Sequence, residues 1–270
     1  MSVIWRSLRI MEEKRQELLE NEEITYLRAW DVYVIQKKGG YRFSLDSLIL
    51  ASIVDLGSHR EVLDLGAGSG VISLILAKRF PDLKVFAVEV QREMVDRLIR
   101  SVRLNKLEGR IEVIQSSFAD LKGIFKGDRF SAIISNPPYW PKDFVRNKDM
   151  TEEELIARYE ILTDINEFVE VSSYLLKNRG KLFMVYPTQR LATLIYTLRS
   201  RRVEPKRLIF IHPDRKKKSE FLYLECIKGG RESLTVDSPI FIYSDSKRGL
   251  YTREVADMIG VRDELVDKES

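Results

Sequence analysis

Three short runs of this chain carry residue types that can bind or react. The first is Asp64-Leu65-Gly66-Ala67-Gly68-Ser69-Gly70. Glycines permit positive φ and let backbone approach a ligand with no Cβ in between. The second is Glu89, nineteen residues after Gly70. A carboxylate at that distance can accept both hydroxyls of a ribose. The third is Asn136-Pro137-Pro138-Tyr139, followed by Trp140-Pro141. Prolines fix the turn and remove backbone donors. What then faces outward is acceptor, from the Asn136 side-chain carbonyl and the Pro137 backbone carbonyl, with Tyr139 adding a flat aromatic surface.

The glycine spacing is G-x-G-x-G. It is neither the G-x-G-x-x-G of dinucleotide binders nor a phosphate loop, because no Gly-Lys-Ser/Thr follows. Asp64 would be a poor neighbour for a pyrophosphate and a good one for an ammonium group. A ligand with a ribose, an ammonium and no phosphate fits Asp64, Gly66, Gly68, Gly70 and Glu89 together, and S-adenosylmethionine is such a ligand. The run Gln115-Ser116-Ser117-Phe118-Ala119-Asp120 falls where an adenine would lie. Ser117 is expected to bond its amino group and Phe118 to flank the ring.

The Asn136–Tyr139 run suits methylation of a weak nitrogen nucleophile. An aryl amine or carboxamide nitrogen has a delocalised lone pair. Two acceptors holding its two N–H groups favour a pyramidal nitrogen and aim that lone pair at a sulfonium methyl. No strong base is needed, since the proton leaves after the nitrogen becomes cationic. Catalysis of this kind is positioning and electrostatics. Tyr139 would stack on a base taken out of its helix or loop.

These residues must be held by strand ends, and the chain supplies them. From residue 61 onward, β-rich runs alternate with helical ones. Strands are expected at 61–65, 84–90, 111–115, 130–135, 181–186, 207–212 and 221–227. Helices are expected at 71–80, 93–105, 152–177 in two pieces ended by Gly180, and 189–199. Alternation of this kind predicts an α/β protein with a mostly parallel, doubly wound sheet of seven strands. Apolar runs such as AIIS and LFMVY suit strands buried on both faces. Only HPDRKKKSE separates the last two strands, too little for a helical crossover, so the final strand is expected to be antiparallel. That is a methyltransferase-like, Rossmann-like sheet rather than a nicotinamide-binding one. Upstream, 30–36 and 41–43 flank Lys37-Lys38-Gly39-Gly40 and read as a hairpin. Ser44 reads as the N-cap of a helix over 44–54. Residues 12–20 read equally as an exposed helix or a solvated charge run. The expected organisation is an N-terminal extension over 1–43, a catalytic domain over 44–230 and a tail over 231–270 that packs on or extends it.

Composition excludes several classes. One cysteine rules out a disulfide framework, and two histidines, His59 and His212, leave no metal centre to expect. No apolar run reaches membrane-spanning length, and residues 1–20 lack a signal-like core. The expectation is a cytoplasmic protein without a membrane partner; the oligomeric state, monomer included, is not set by the sequence. The net charge is only +4, but residues 199–218 hold nine Lys/Arg against Glu204 and Asp214. From this cluster Lys206, Arg207, Arg215, Lys216, Lys217 and Lys218 are candidate RNA contacts.

The order GAGSG, Glu89, NPPY resembles class I S-adenosylmethionine-dependent amino-methyltransferases. The segments 40–51 (GYRFSLDSLILA), 156–160 (IARYE), 208–213 (LIFIHP) and 224–230 (LECIKGG) are similar to the bacterial tRNA(Val) adenine-N6 methyltransferase family. The resemblance runs from about residue 30 to residue 253 and implies methylation of the adenosine 3′ of the anticodon, with a tRNA as partner. It implies that Asp64, Gly66, Gly68 and Glu89 hold the cofactor and that Arg42 and Phe43 lie near its methionyl end. It also implies that Asn136, Pro137, Pro138 and Tyr139 hold the target adenine. Many relatives place Asp where Ser117 stands, which weakens adenine-side affinity. The nearest rival is a protein-glutamine methyltransferase of release factors, since NPPY serves an amide equally well. Those enzymes resemble this core but carry a larger helical N-terminal domain. A non-catalytic binding module on the same fold has no use for the acceptor geometry of NPPY.

Overall fold

Alternating side chains along each apolar run face opposite sides of one sheet, and each side is covered by helices. The structure, a computed structural model, describes residues 17–140, 150–159, 163–244, 249–261 and 265–267. It begins with an antiparallel hairpin, β1 (Glu22–Leu27) and β2 (Val32–Lys37), closed by a 3₁₀ turn at Arg28–Trp30. The 30–36 run is therefore a strand, but its partner lies upstream rather than at 41–43. EEITYL pairs with VYVIQK along all six residues, and Tyr26 stacks on Tyr33 at 4.6 Å between ring centres. Residues 41–43 instead lead out of the hairpin, and the Phe43 N–H donates to Gln36 Oε1 at 3.2 Å. Within 12–20, the described part, 17–20, is turn rather than helix; the rest lies outside the described residues.

The chain then runs through α1 (Leu45–Ile53), β3 (Glu61–Leu65), α2 (Val71–Arg79), β4 (Lys84–Glu89), α3 (Arg92–Leu104) and β5 (Ile111–Gln115). A short α4 (Leu121–Ile124), β6 (Phe130–Ser135), α5 (Glu152–Arg158), α6 (Ile165–Leu175), β7 (Leu176–Pro187) and α7 (Leu191–Ser200) follow. The end holds β8 (Val203–His212), β9 (Phe221–Lys228), β10 (Thr235–Val236), β11 (Ile240–Phe241) and α8 (Arg253–Ile259). The central order is β8-β9-β7-β6-β3-β4-β5. All neighbours are parallel except β9, which is antiparallel to both β7 and β8. All seven expected strands are present, and the last is antiparallel. Two more were not foreseen: β10 and β11 add parallel to the outer edge of β8, giving nine strands. Each is only two residues long, too short for any sequence period to show.

Gly180 does not end a helix. Helix α6 stops at Leu175 and β7 starts at once. The register jumps from Phe130↔Leu176 to Ala132↔Lys181, so 177–180 bulge out of the ladder, with Arg179 at φ 67°. A Cβ on Gly180 would sit 2.9 Å from Lys177 O and 3.2 Å from Ser131 O, so the crease requires glycine.

In β4, Val85 and Ala87 join one buried cluster while Phe86 and Val88 join the other; in β7, Phe183 and Val185 part from Leu182 and Met184 in the same way. The first cluster takes in α1, α2 and α8, the second α6 and α7. Each large side chain buried this way contributes about 1.5–3 kcal/mol. The hairpin is tied to α3 through Ile35 N–H to Ser101 Oγ, Tyr33 N–H to Asn105 Oδ1, and both Arg100 terminal nitrogens on the Glu22 carboxylate. Among the described residues no helix is long and apolar enough to cross a membrane, and no cluster of His, Cys, Asp or Glu is arranged to hold a metal.

Candidate active site

Parallel strands deliver their carboxyl ends to one edge of the sheet, where ligands of such sheets bind. There the ends of β3, β4, β5 and β6 surround a cleft of about 640 Å³ including its open mouth. Gly66, Gly68, Glu89, Ser117, Phe118, Asn136 and Pro138 line it, together with Tyr41, Val90, Gln91, Met94, Ile156, Ala157 and Thr163.

Gly66 and Gly68 sit at φ 76° and 56°. The N–H groups of Gly66 and Ala67 donate to Val88 O at 2.9 and 2.8 Å, tying the loop to β4. A Cβ at Gly66 or Gly68 would meet only Phe118 or Met94, at 3.7 and 3.8 Å, so the cradle is open on its ligand side. Gly70 has a different reason to be glycine. It is the N-cap of α2 at φ 82°, and a Cβ there would fall 2.0 Å from Leu98 Cδ1 on α3. It serves packing and does not line the cleft.

Glu89 is 6 % exposed. Its Oε2 accepts from Gly68 N–H, and its Oε1 accepts from Val90 and Gln91 N–H, all at 2.9 Å. A carboxylate offers about four lone-pair sites. Three are taken by backbone, leaving one for a hydroxyl rather than two. Burial raises its pKa against the lowering effect of those three amides.

Asn136, at the end of β6, is held from behind by the first turn of α1. Its Nδ2 donates to Ser47 Oγ at 2.8 Å, Asp46 Oδ2 at 2.9 Å and Ser44 Oγ at 3.3 Å. Its Oδ1 is buried with no hydrogen-bond partner. Ser44 is the N-cap of α1 by position, yet its side chain makes no capping bond. The hydroxyl turns to Asn136 and Ser47 instead, forgoing about 1 kcal/mol of helix stability.

Other expected site residues fall elsewhere. Asp64 is fully buried beneath the loop, where Ser73 Oγ–H donates to Oδ2 at 2.6 Å and Oδ1 has no partner. Burial pushes its carboxyl up to about 7. Arg42 points away, pairing with Glu23 at 2.8 Å with its side chain 57 % exposed. Phe43 packs against the core. It is Tyr41, not Arg42 or Phe43, that reaches the cleft. Ser117 lines the cleft, but its hydroxyl donates to Asp120 Oδ2 at 2.6 Å. Phe118 forms part of the wall and leans on Phe168 at 6.0 Å. Pro137 is buried. Tyr139 stands beside the cleft among Trp140, Phe221 and Tyr186, at 5.6, 5.6 and 6.2 Å, and its carbonyl accepts from Arg190 Nη1 at 2.5 Å.

The 156–160 segment supplies Ile156 and Ala157 to the cleft wall; Glu160 lies outside the described residues. Helix α5 is docked by a buried ion pair, Arg97 Nη2 to Glu153 Oε2 at 2.5 Å. Asp46, Ser47, Tyr41, Gln91, Met94 and Thr163 are site or support residues that the motifs did not single out. Only the run GYRFSLDS, singled out for its resemblance, marked their neighbourhood for the first three.

The basic candidates divide. Arg215, Lys216, Lys217 and Lys218 occupy the β8–β9 loop at the same sheet edge as the cleft, and Phe221 at its end packs on Tyr139. All four are exposed. Arg215 lies over the Phe241 ring at 5.0 Å, and Lys217 pairs with Asp214 at 3.4 Å. Lys206 and Arg207 sit roughly 17 Å back along β8. Lys206 Nζ donates to Arg231 O at 2.5 Å, and Arg207 pairs with Asp237 at 2.6 Å. The structure does not bring them to the cleft.

Among the described residues the cleft lining includes no Lys or Arg and one acid, Glu89. Among those residues a phosphate-bearing cofactor finds no counter-charge. A nucleoside carrying a cation does fit: the open glycine cradle, the Glu89 lone pair and an unpartnered acceptor at Asn136 Oδ1 match S-adenosylmethionine and an incoming N–H.

The chain is similar to several known proteins. A tRNA1(Val) (adenine(37)-N6)-methyltransferase from Pedobacter heparinus is 24 % identical over 211 residues, covering 78 % of this chain and 86 % of its own. One of the same name from Tolumonas auensis is 28 % identical over 185 residues, covering 65 % and 75 %. The crystal structure of a predicted O-methyltransferase from Agrobacterium tumefaciens has the same fold, with a TM-score of 0.63, 24 % identity and coverage of 80 % and 95 %. The model of the methyltransferase small domain matches residues 41–197, from the tyrosine of the cleft wall to the helix after β7, and with more than half its length matched the chain belongs to that family.

Proposed function

We propose that this chain transfers a methyl group from S-adenosylmethionine to the N6 amino group of an adenine in tRNA, the adenosine 3′ of the anticodon of a valine tRNA. The observation that carries the chemistry is Asn136, whose amide nitrogen is fully engaged while its buried Oδ1 has no partner. A buried acceptor left open is costly unless a ligand donor completes it. The names of the Pedobacter and Tolumonas relatives supply the tRNA and the adenine. A tRNA substrate places the work in the cytoplasm.

S-adenosylmethionine supplies an electrophilic sulfonium methyl. The Gly66–Gly68 backbone and Glu89 would hold its nucleoside, with Glu89 accepting one hydroxyl. Phe118 and Met94 offer apolar surface to the base. Asn136 Oδ1 accepts one N6–H of the target and the Pro137 carbonyl the other. Together they favour the pyramidal nitrogen and strengthen as positive charge develops on it. The proton is then lost to solvent, with no side-chain base required. Tyr139, braced edge-on by Trp140, Tyr186 and Phe221, offers a fixed face for the flipped adenine. The exposed Arg215–Lys218 loop meets the tRNA backbone.

The test is tritiated methyl transfer to unmodified total tRNA and, in parallel, to a release factor. N6-methyladenosine in tRNA is the expected product. Methylglutamine in the release factor overturns the RNA reading and leaves the amino-methylation chemistry standing.

A further inference from the structure

We propose that Asp46 is a positioning residue that decides which end of the Asn136 amide faces the substrate; this rests on the amino-methylation reading above. The two ends of a carboxamide have nearly the same shape, so packing alone does not choose between them. An N–H-bearing substrate needs the oxygen end. Ser44 and Ser47 touch the amide, but a hydroxyl donates or accepts equally well, so they tolerate either orientation. Asp46 does not. A carboxylate is an acceptor, and Asp46 Oδ2 lies 2.9 Å from Asn136 Nδ2, which donates to it. Turning the amide over would set two acceptors against each other there and point an NH₂ at the incoming amine.

The site is built for this. Asp46 and Ser47 are 6 % and 4 % exposed, so water does not substitute for either. Both stand in the first turn of α1, where a carboxylate is also favoured by the helix dipole. The result is a one-way relay: Asp46 takes the donor end, and Asn136 Oδ1 is left as the open acceptor. Asp46 bonds Asn136, 90 positions away in sequence, and its effect on the substrate runs through that amide.

A double-mutant cycle reads this directly. Steady-state methyl transfer to an unmodified tRNA transcript is measured for wild type, Asp46→Ala, Asp46→Asn, Asn136→Ala and Asp46→Ala/Asn136→Ala. Asp46→Ala is expected to lower kcat tenfold or more, with KM for tRNA, Kd for S-adenosylmethionine and Tm little changed. Asp46→Asn, which presents an acceptor or a donor, is expected to fall between. In the Asn136→Ala background, Asp46→Ala is expected to cost nothing further. A kcat within twofold of wild type for Asp46→Ala overturns the proposal. So does a loss that multiplies with that of Asn136→Ala, or one traced to cofactor affinity or Tm. If Asp46→Ala does not fold, the isosteric Asp46→Asn decides: threefold or greater loss of kcat at unchanged Tm supports the role, and unchanged kcat overturns it. Should wild type label a release-factor glutamine instead of tRNA, the tRNA reading fails. The same cycle on that amide then judges Asp46 separately.

Discussion

Glu89 Oε2 accepts the Gly68 N–H at 2.9 Å, joining the glycine loop after β3 to the end of β4. The carboxylate that lines the cleft is thus also a clasp on the loop. Two roles for one side chain give a specific expectation. Glu89→Ala should raise the Kd for S-adenosylmethionine about ten- to a hundredfold, as loss of hydrogen bonds to a charged group does. It should also lower Tm without ligand. Titration calorimetry and thermal unfolding measure the two effects. Unchanged affinity removes Glu89 from the cofactor site, and unchanged Tm removes the clasp.

Asn136→Ala should behave differently. Its acceptor matters most when positive charge builds on the target nitrogen, so the loss belongs in kcat rather than in binding. A drop of two orders of magnitude or more is expected, comparable with deletion of a preorganised transition-state donor elsewhere. Cofactor Kd should stay within about twofold by the same reasoning. Wild-type turnover in this variant would end the acceptor mechanism.

These two residues were readable from sequence because each sits at the end of a strand, and a strand end in a parallel sheet has a known destination. Gly66, Gly68 and Asn136 meet at one cleft for that reason. Neighbouring expectations failed where the motif named a segment but not a direction. GYRF marks the wall, yet Tyr41 faces the cleft while Arg42 turns to Glu23. Asp46 drew no reading of its own, since nothing local says that Asn136 lies against it. The hairpin partner was misplaced because Lys-Lys-Gly-Gly is a turn by composition, whereas pairing was decided by the upstream EEITYL. Gly180 looked like a helix stop because positive-φ glycines end helices; here a crowded crease between β6 and β7 demands it.

Asp64 predicts a pH dependence whose sign follows from burial. Its carboxyl is pushed up to about 7 from 3.8 by desolvation, only partly offset by Ser73. Below about pH 4 both folded and unfolded chains carry the proton, and the group costs nothing. Between about 4 and 7 the unfolded chain ionises while the folded one resists, so stability falls through that window, by up to about 4 kcal/mol. Above 7 the dependence is flat. Thermal unfolding from pH 4 to 8 should show Tm of the ligand-free protein declining across the window and the isosteric Asp64→Asn variant declining less. Parallel curves for the two proteins would assign the slope to other groups.

The basic cluster should divide by function as it divides in space. Lys216 and Lys218 are exposed in the β8–β9 loop, at the sheet edge that also carries the cleft, and make no ion pair with a described residue. Lys206 and Arg207 already hold Arg231 O and Asp237 on a more distant part of β8. Each lysine that neutralises a phosphate releases condensed counterion, so removing one lowers the slope of log K against log salt by about 1. Lys216→Ala/Lys218→Ala is expected to weaken tRNA binding and reduce that slope by about 2. Lys206→Ala should leave the slope as in wild type, because its ammonium is committed to a backbone carbonyl. Fluorescence anisotropy with labelled tRNA over a salt series distinguishes them. Equal slopes for the loop variant and wild type would move the RNA contact off the β8–β9 loop, and a reduced slope for Lys206→Ala would extend it down the outer edge of the sheet.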